Sequence, residues 1–468
     1  MARILMVASE AAPYAKTGGL ADVVGSLPQA LAALGHEVAV VLPRYGRIPL
    51  GGLREVWSDS VVHLGPHAIR CGLWSKQESG VTFFFVDVPW MFDRAEFYGH
   101  PDDHLRFATF CQAALNVIRL LWRPDVVHLH DWQAALCAPY LRTRFHADPT
   151  FHGIKIVYTI HNLEHQGRFG PAIFRDLGLD SWLMRPDFLE YHGDVTLMKG
   201  GVVFSDAVTT VSPRYAAEIR TSEFGCGLDP LINAHAHKLT GILNGVDYTT
   251  WNPETDPYLA AHYSASDLVG KAACKRDLLQ ELGLPEDNMH RPVLGIVSRL
   301  ARQKGFDLLA EIAWEMMHDD VCLAVVGSGD SRYEEFFTTL TSAFPGRVAA
   351  FLGYSEKLAH KVEAGADIFL MPSLFEPCGL NQIYSLRYGT LPVVRATGGL
   401  DDTVDGETGF KFWGYWPHDL LLCIRGALEA WRDHDGWRRR MEIAMSRNFS
   451  WSASARQYSD LYGRLLTG

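Results

Sequence analysis

The feature that most constrains this chain is an alternation. Short runs of β-branched and aromatic residues, almost wholly apolar, recur between longer amphipathic stretches. In the first half these runs are 3–9, 37–43, 81–88, 125–130, 155–161 and 207–212, which read as strands. Strands apolar on both faces belong to parallel sheets covered by helices, and the segment 20–34 carries the helical period such a cover needs. The pattern predicts a doubly wound α/β domain. After the turn-rich stretch NGVDYTTWNPETDPY the same alternation resumes at 292–300, 321–329, 347–353, 368–373 and 391–396. Two domains follow: residues 1–245, a hinge over 246–262, and residues 263–448. A final segment, 449–468, has apolar residues at Trp451, Ala455, Tyr458, Leu461, Tyr462 and Leu465, which is helical spacing.

Size and charge narrow the function. At 468 residues, 48% hydrophobic, the chain is too long for one ordinary core. A net charge of −11 argues against broad attraction to nucleic acid or anionic lipid. No apolar run is long enough to span a membrane, and no secretion signal stands at the start. The eight cysteines form no CxxC pair, so neither a disulfide framework nor a zinc ribbon is expected, and a reducing cytoplasm is the natural setting.

One internal echo points to a site. TGGLADVV at 17–24 recurs as TGGLDDTV at 397–404, identical at six of eight positions. In each copy two glycines can bring backbone N–H groups to a helix start, where the dipole favours an anion; two turns that merely need glycine are the plainer reading. Lys16 precedes the first pair in an order that is no Walker motif, yet it sets a point charge beside those donors. Arg299 and Lys304, in SRLARQKGFD, fall at the carboxyl edge of a predicted strand, where open α/β sheets bind ligands. Two fixed cations there suit a leaving diphosphate, which gains charge as its bond breaks. In PSLFEPCGL, Pro377 and Gly379 fix a turn into a helix over 380–388 and hold Glu376 at its N-terminus. There a carboxylate accepts sugar hydroxyls, opposes charge at an anomeric carbon, or simply caps the helix. Cys378 reads as small packing rather than a nucleophile. His128, His130, His161 and His165 cluster in HLHD and HNLEH, but the spacing is not HExxH and no metal site is expected. His161 and Asp131, at strand ends, remain candidates for a ligand-facing position.

The segments SEAAPYAKTGGLADVVGSLPQAL, HDWQAAL, HNLEHQGRF, KGGVVFSDAVTTVSPRYAAEI, GILNGVDYTTWNP, SRLARQKGFDLL and FEPCGLNQIYSLRYGTLPVVRATGGLDDTV, in this order, resemble the bacterial glycogen synthase and plant starch synthase family. The resemblance implies two Rossmann-like domains facing across a cleft, the GT-B type, with the C-terminal helix returning to the first domain. It implies a retaining transferase moving glucose from a nucleotide sugar, usually ADP-glucose, to the nonreducing 4-hydroxyl of an α-1,4-glucan. The partners are then that polymer and the nucleotide sugar, with no nucleic acid, membrane, metal or cofactor. Residue by residue, it implies that Arg299, Lys304, Lys16, Gly18 and Gly19 hold the diphosphate, that Glu376 orients the glucose, and that His161 contacts its 6-hydroxyl. Asp22 and Asn244 shape the sugar site, Tyr354 stacks on the adenine, and Cys378, Gly379, Leu380, Thr397, Gly398 and Gly399 lie at the donor. Glu10, Tyr98, Asp131, Trp132 and Asn162 resemble positions of the acceptor or sugar site.

Two departures stand out. The commoner HNLAYQG reads HNLEHQG here, and Tyr384 occupies a position where related glycosyltransferases often carry a ribose-binding glutamate. UDP-glucose as donor, and a catalytically silent glucan-binding protein, are the rival readings. Retention arises either by double displacement or by a front-face path in which the leaving phosphate helps deprotonate the acceptor. Since His161 and Asn162 are poor nucleophiles, the front-face path is the expectation.

Overall fold

The computed structural model describes all residues, Met1–Gly468. Two compact units emerge, one formed by Met1–Gly245 with Trp451–Gly468 and the other by Val246–Ser450.

The first unit is built on a nine-stranded sheet. Its strands are β1 Arg3–Val7, β2 Glu37–Pro43, β3 Arg54–Leu64, β4 His67–Glu78, β5 Val81–Asp87, β6 Val126–His130, β7 Lys155–Ile160, β11 Ala207–Thr210 and β12 Leu239–Gly241. A separate small sheet holds β8 Arg168–Phe169, β9 Glu190–Tyr191 and β10 Asp194–Thr196. The large sheet runs β12-β11-β7-β6-β1-β2-β5-β4-β3. It is parallel from β12 to β5, but β4 and β3 join antiparallel, which the all-parallel expectation did not include. The reason is visible in burial. β4 buries Ile69, Cys71 and Leu73 on alternate positions while the residues between them face outward, so the hairpin lacks the continuous apolar run of a doubly covered strand. Ser79 and Gly80, both at positive φ, make the tight turn into β5.

Helix Gly19–Ala33 buries Leu20, Val23, Val24, Leu27 and Leu31, the stripe that the period of 3.6 predicts. The final helix, Trp451–Thr467, buries Trp451, Ala455, Tyr458, Leu461 and Tyr462 within the same unit. Ser454 Oγ donates to Leu243 O at 2.6 Å, and the Tyr462 hydroxyl lies 2.8 Å from His128 Nδ1.

The second unit has a six-stranded parallel sheet: β13 Val293–Val297, β14 Cys322–Gly327, β15 Val348–Leu352, β16 Ile368–Met371, β17 Leu391–Arg395 and β18 Phe410–Phe412, in the order β15-β14-β13-β16-β17-β18. Side chains alternate between two separate cores. Leu323, Val325, Ile368 and Leu370 enter one, and Cys322, Ala324, Val326, Phe369 and Met371 enter the other. Each fully buried Leu, Val or Phe side chain contributes about 1.5–3 kcal/mol relative to exposure, so this two-sided burial is what fixes the register.

The stretch expected as a hinge, 246–262, is packed into the second unit. Trp251 stacks between His360 at 3.8 Å and Tyr384 at 4.0 Å, and the buried Asp256 Oδ2 accepts from the Tyr388 hydroxyl at 2.5 Å. No helix is long and apolar enough to cross a membrane.

Candidate active site

In each unit the predicted residues gather at the carboxyl ends of the parallel strands, and the two groups differ in character.

In the first unit, the turn after β1 carries Glu10, which is 3% exposed. Its carboxylate accepts from the Thr17 backbone N–H, from Thr17 Oγ1 at 2.6 Å and from the Tyr98 hydroxyl at 2.6 Å. Burial raises the Tyr98 phenol well above its ordinary range, so this hydroxyl stays a donor. Glu10 and Tyr98 therefore clamp the loop Lys16–Gly19 rather than lying open. Lys16 Nζ reaches Asp22 Oδ1 at 2.6 Å, so Asp22 is the partner of that cation. A Cβ built on Gly18 or Gly19 would meet nothing within 4 Å.

β6 and β7 end side by side. Asp131, in the left-handed region at φ 55°, accepts from the His161 backbone N–H at 2.8 Å. Burial pushes its carboxyl up from the ordinary 3.8 to about 7, against the pull of the backbone N–H groups of His161 and Asn162. His161 is 8% exposed, and burial drives its imidazole down to about 3, so the ring is neutral. Its Nε2 lies 3.0 Å from His130 Nδ1. Asn162 Oδ1 accepts from Glu164 N and shapes the turn. Trp132 is enclosed by Phe107 and Phe169, with ring centroids 5.0 and 5.8 Å away. Glu164 and His165, the departure from the common motif, face solvent. Asn244 is buried, and its Oδ1 has no hydrogen-bond partner, leaving an amide oxygen ready for a ligand.

The second unit holds the charges. Arg299 lies two residues beyond the end of β13, exposed, its nearest polar contact Gln303 Oε1 at 3.5 Å. Lys304 ends a short 3-10 turn, and its Nζ lies 2.6 Å from Glu376 Oε2, which also accepts from Ser373 Oγ at 3.2 Å. The Glu376 side chain is buried, 8% exposed, while that of Lys304 is half-buried at 23%. The sequence placed Glu376 at a helix N-terminus. The structure corrects this: the helix starts at Asn381, and the partner of the carboxylate is an ammonium group contributed from 72 residues away. Gln303, absent from the sequence argument, joins the two loops. Its carbonyl accepts from Leu374 N at 2.8 Å, and its side chain donates to Phe375 O at 3.3 Å. A polar residue between two cations gave no motif signal.

The second glycine pair also departs from expectation. A Cβ on Gly398 would sit 1.9 Å from Glu376 O, and one on Gly399 would sit 2.1 Å from Cys378 O. The Gly399 N–H donates to Glu376 O and Pro377 O, both at 3.2 Å, so it is not a bare donor for a ligand. Thr397 is fully buried and Cys378 nearly so, while Gly379, at positive φ, turns the chain toward Leu380, which packs beside Val246 and Ile383. Tyr354, two residues past β15, is 86% exposed, a free aromatic face. No group of three or more His, Cys, Asp or Glu is arranged to hold a metal ion.

Comparison with known proteins gives a consistent picture. Residues 3–234 match the family model described as starch synthase catalytic domain, and residues 291–428 match that of glycosyl transferases group 1. The chain is 46% identical over 472 residues to a glycogen synthase of Koribacter versatilis, covering 98% of this chain and 97% of that one. It is 48% identical over 482 residues to a glycogen synthase of Anaeromyxobacter dehalogenans, covering 100% of both. Among solved structures, the catalytic domain of starch synthase IV from Arabidopsis thaliana, bound to ADP and acarbose, is similar with a TM-score of 0.92 and 35% identity over 100% of both chains. Sucrose-phosphate synthase from Thermosynechococcus elongatus shares the fold, with a TM-score of 0.64 and 18% identity over 99% of both.

Proposed function

The chain belongs to the glycogen synthase and starch synthase family of glycosyltransferases and has the GT-B fold, and on that premise we propose that it transfers glucose from ADP-glucose to the nonreducing 4-hydroxyl of an α-1,4-glucan, in the cytoplasm, with retention of anomeric configuration. The observation that carries the reading is the Lys304–Glu376 pair at the carboxyl edge of a doubly wound sheet, with Arg299 at the start of the same loop as Lys304. The eight free cysteines agree with a reducing compartment.

In this reading the bond between the anomeric carbon and the diphosphate breaks with its electron pair going to the phosphate oxygen. Arg299 and Lys304 stabilise that growing charge more than the ground state, an effect of about 10²–10³ in rate for a well-placed donor. The charge is met by protein cations, with no cofactor step. Glu376 holds the Lys304 ammonium in place and leaves its second oxygen for a sugar hydroxyl. Tyr354 offers its open face to the adenine. His161, neutral, hydrogen-bonds a sugar hydroxyl without adding a charge near the electron-poor carbon.

Retention then follows the front-face path: the acceptor 4-hydroxyl gives its proton to the departing phosphate as its oxygen bonds to carbon. The carboxylates nearest the sugar residues of the first unit support this, because each has a prior engagement. Glu10 holds Thr17 and Tyr98, Asp22 holds Lys16, and Asp131 holds the 161–162 backbone. Each of these engagements disfavours attack by that carboxylate on the anomeric carbon.

The test is incorporation of labelled glucose into glycogen, with ADP-glucose and UDP-glucose run in parallel. Incorporation from ADP-glucose is expected at the higher rate. A preparation that binds ADP yet labels no polymer from either donor overturns the proposal.

A further inference from the structure

Three imidazoles form a buried column in the first unit, and the middle one has no part in the mechanism above. His128 and His130 lie two residues apart on β6, so they project from the same face of the strand. β7 runs parallel beside them, with His128 opposite Val157 and His130 opposite Thr159, and the chain leaving β7 brings His161 onto His130. Ring centroids are 4.2 Å apart for His128 and His130, and 5.3 Å for His130 and His161. Hydroxyls fix the inner end. His128 Nδ1 lies 2.8 Å from the Tyr462 hydroxyl of the C-terminal helix, and His128 Nε2 lies 2.6 Å from Thr159 Oγ1. Tyr458 and Tyr462 flank the His128 ring.

Burial lowers the affinity of all three rings for a second proton, His128 and His161 to about 3 and His130 in the same direction, so each is neutral. A neutral imidazole has one N–H and one lone pair. The 3.0 Å contact between His130 Nδ1 and His161 Nε2 therefore takes one of two forms, and they are not equivalent. If His161 donated, His130 would carry its own proton on Nε2, a fully buried atom with no partner. Buried orphan N–H groups are rarer than under-used acceptors. If His130 donates from Nδ1, its Nε2 keeps only a lone pair, and His161 must carry its proton on Nδ1.

We propose that His130 is a positioning residue: by donating from Nδ1 to His161 Nε2 it locks His161 in the Nδ1–H tautomer, presenting a fixed N–H donor to an oxygen of the transferred sugar. The sugar contact rests on the glucosyl-transfer reading given above, and the tautomer does not. Thr159 and Tyr462 hold the His128 ring, which packs against one side of the His130 ring while His161 meets the other.

The experiment is a long-range ¹H–¹⁵N correlation on the full chain labelled at histidine nitrogen, with His161 and His130 assigned by substitution. His161 is expected protonated on Nδ1 and bare on Nε2. In His130→Leu that preference is lost, and kcat for glucose transfer falls about tenfold to a hundredfold, with the ADP-glucose KM within about twofold of wild type. His130→Asn, whose amide nitrogen takes the place of Nδ1 and donates, restores the tautomer and most of kcat. A purely structural role would lower stability in both variants without moving the His161 nitrogens. The proposal is overturned if wild-type His161 is protonated on Nε2, or if His130→Leu leaves its tautomer unchanged. Should His130→Leu not fold, the wild-type spectrum alone decides. A chain that transfers no glucose would sink the functional reading and leave this one to the spectra.

Discussion

TGGLADVV and TGGLDDTV are nearly the same words, and the fold uses them for different ends. In the first copy the glycine pair is open: a Cβ on either glycine meets no atom within 4 Å, and the loop is held from outside, through Thr17, by Glu10. In the second copy the glycines are the contact itself, with the Glu376 and Cys378 carbonyls pressed against their α-carbons. One pair leaves room for a ligand. The other leaves room for the neighbouring turn and so sets where Glu376 stands relative to Lys304. A local sequence match thus identifies a backbone requirement, and the surroundings decide whether that requirement serves binding or packing.

The largest test removes what the second copy positions. Lys304→Gln keeps a donor for Glu376 but discards the charge, and kcat for transfer is expected to fall by about 10²–10³ with the fold retained. A wild-type rate would detach the glycine turn from function altogether. Gly398→Ala comes next. Its methyl would collide with the Glu376 carbonyl at φ 44°, so a loss of roughly 2–4 kcal/mol of stability and at least about tenfold in kcat is expected from denaturant midpoints and initial rates. Gly18→Ala sharpens the contrast. At φ −158° the backbone is extended and accessible to any residue, so stability should stay within about 0.5 kcal/mol, while the added methyl raises the ADP-glucose KM about threefold to tenfold. If Gly18→Ala destabilised as much as Gly398→Ala, the two copies would be packing elements alike.

A difference in pH response should accompany the structural one. The first unit holds the buried Asp131 with its carboxyl at about 7 rather than 3.8. Below about pH 4 the folded and unfolded states are both protonated; between about 4 and 7 only the unfolded state ionises, so this group withdraws stability as pH rises and the loss levels off above 7. Asp131→Asn abolishes that loss, and its stability relative to wild type should grow across that window by on the order of 4 kcal/mol at most. Urea midpoints from pH 4 to 8 measure it, and a difference independent of pH would show that Asp131 ionises freely in the folded chain.

Much of this was legible in the sequence. The near-continuous apolar runs located the central strands of both sheets, because burial on two faces demands such runs, and the motifs named Arg299, Lys304 and Glu376. The β3–β4 hairpin escaped because a sheet edge wet on one side alternates and looks like ordinary surface. Gln303 escaped because a lone polar residue that ties two loops together carries no motif of its own, and His130, visible in HLHD, showed its contact with His161 only in the fold.

By itself the sequence located the central strands of both sheets and the chemical groups that stand at their ends, since periodicity and residue type are local properties. Pairing was decided only in three dimensions: Lys304 with Glu376, Glu10 with Thr17 and Tyr98, and His130 with His161. Most of these contacts join residues far apart in the chain, and Glu10 with Thr17 depends on how the loop between them folds. Hydrogen bonds and excluded volume act over a few ångströms of space, whatever the distance along the chain.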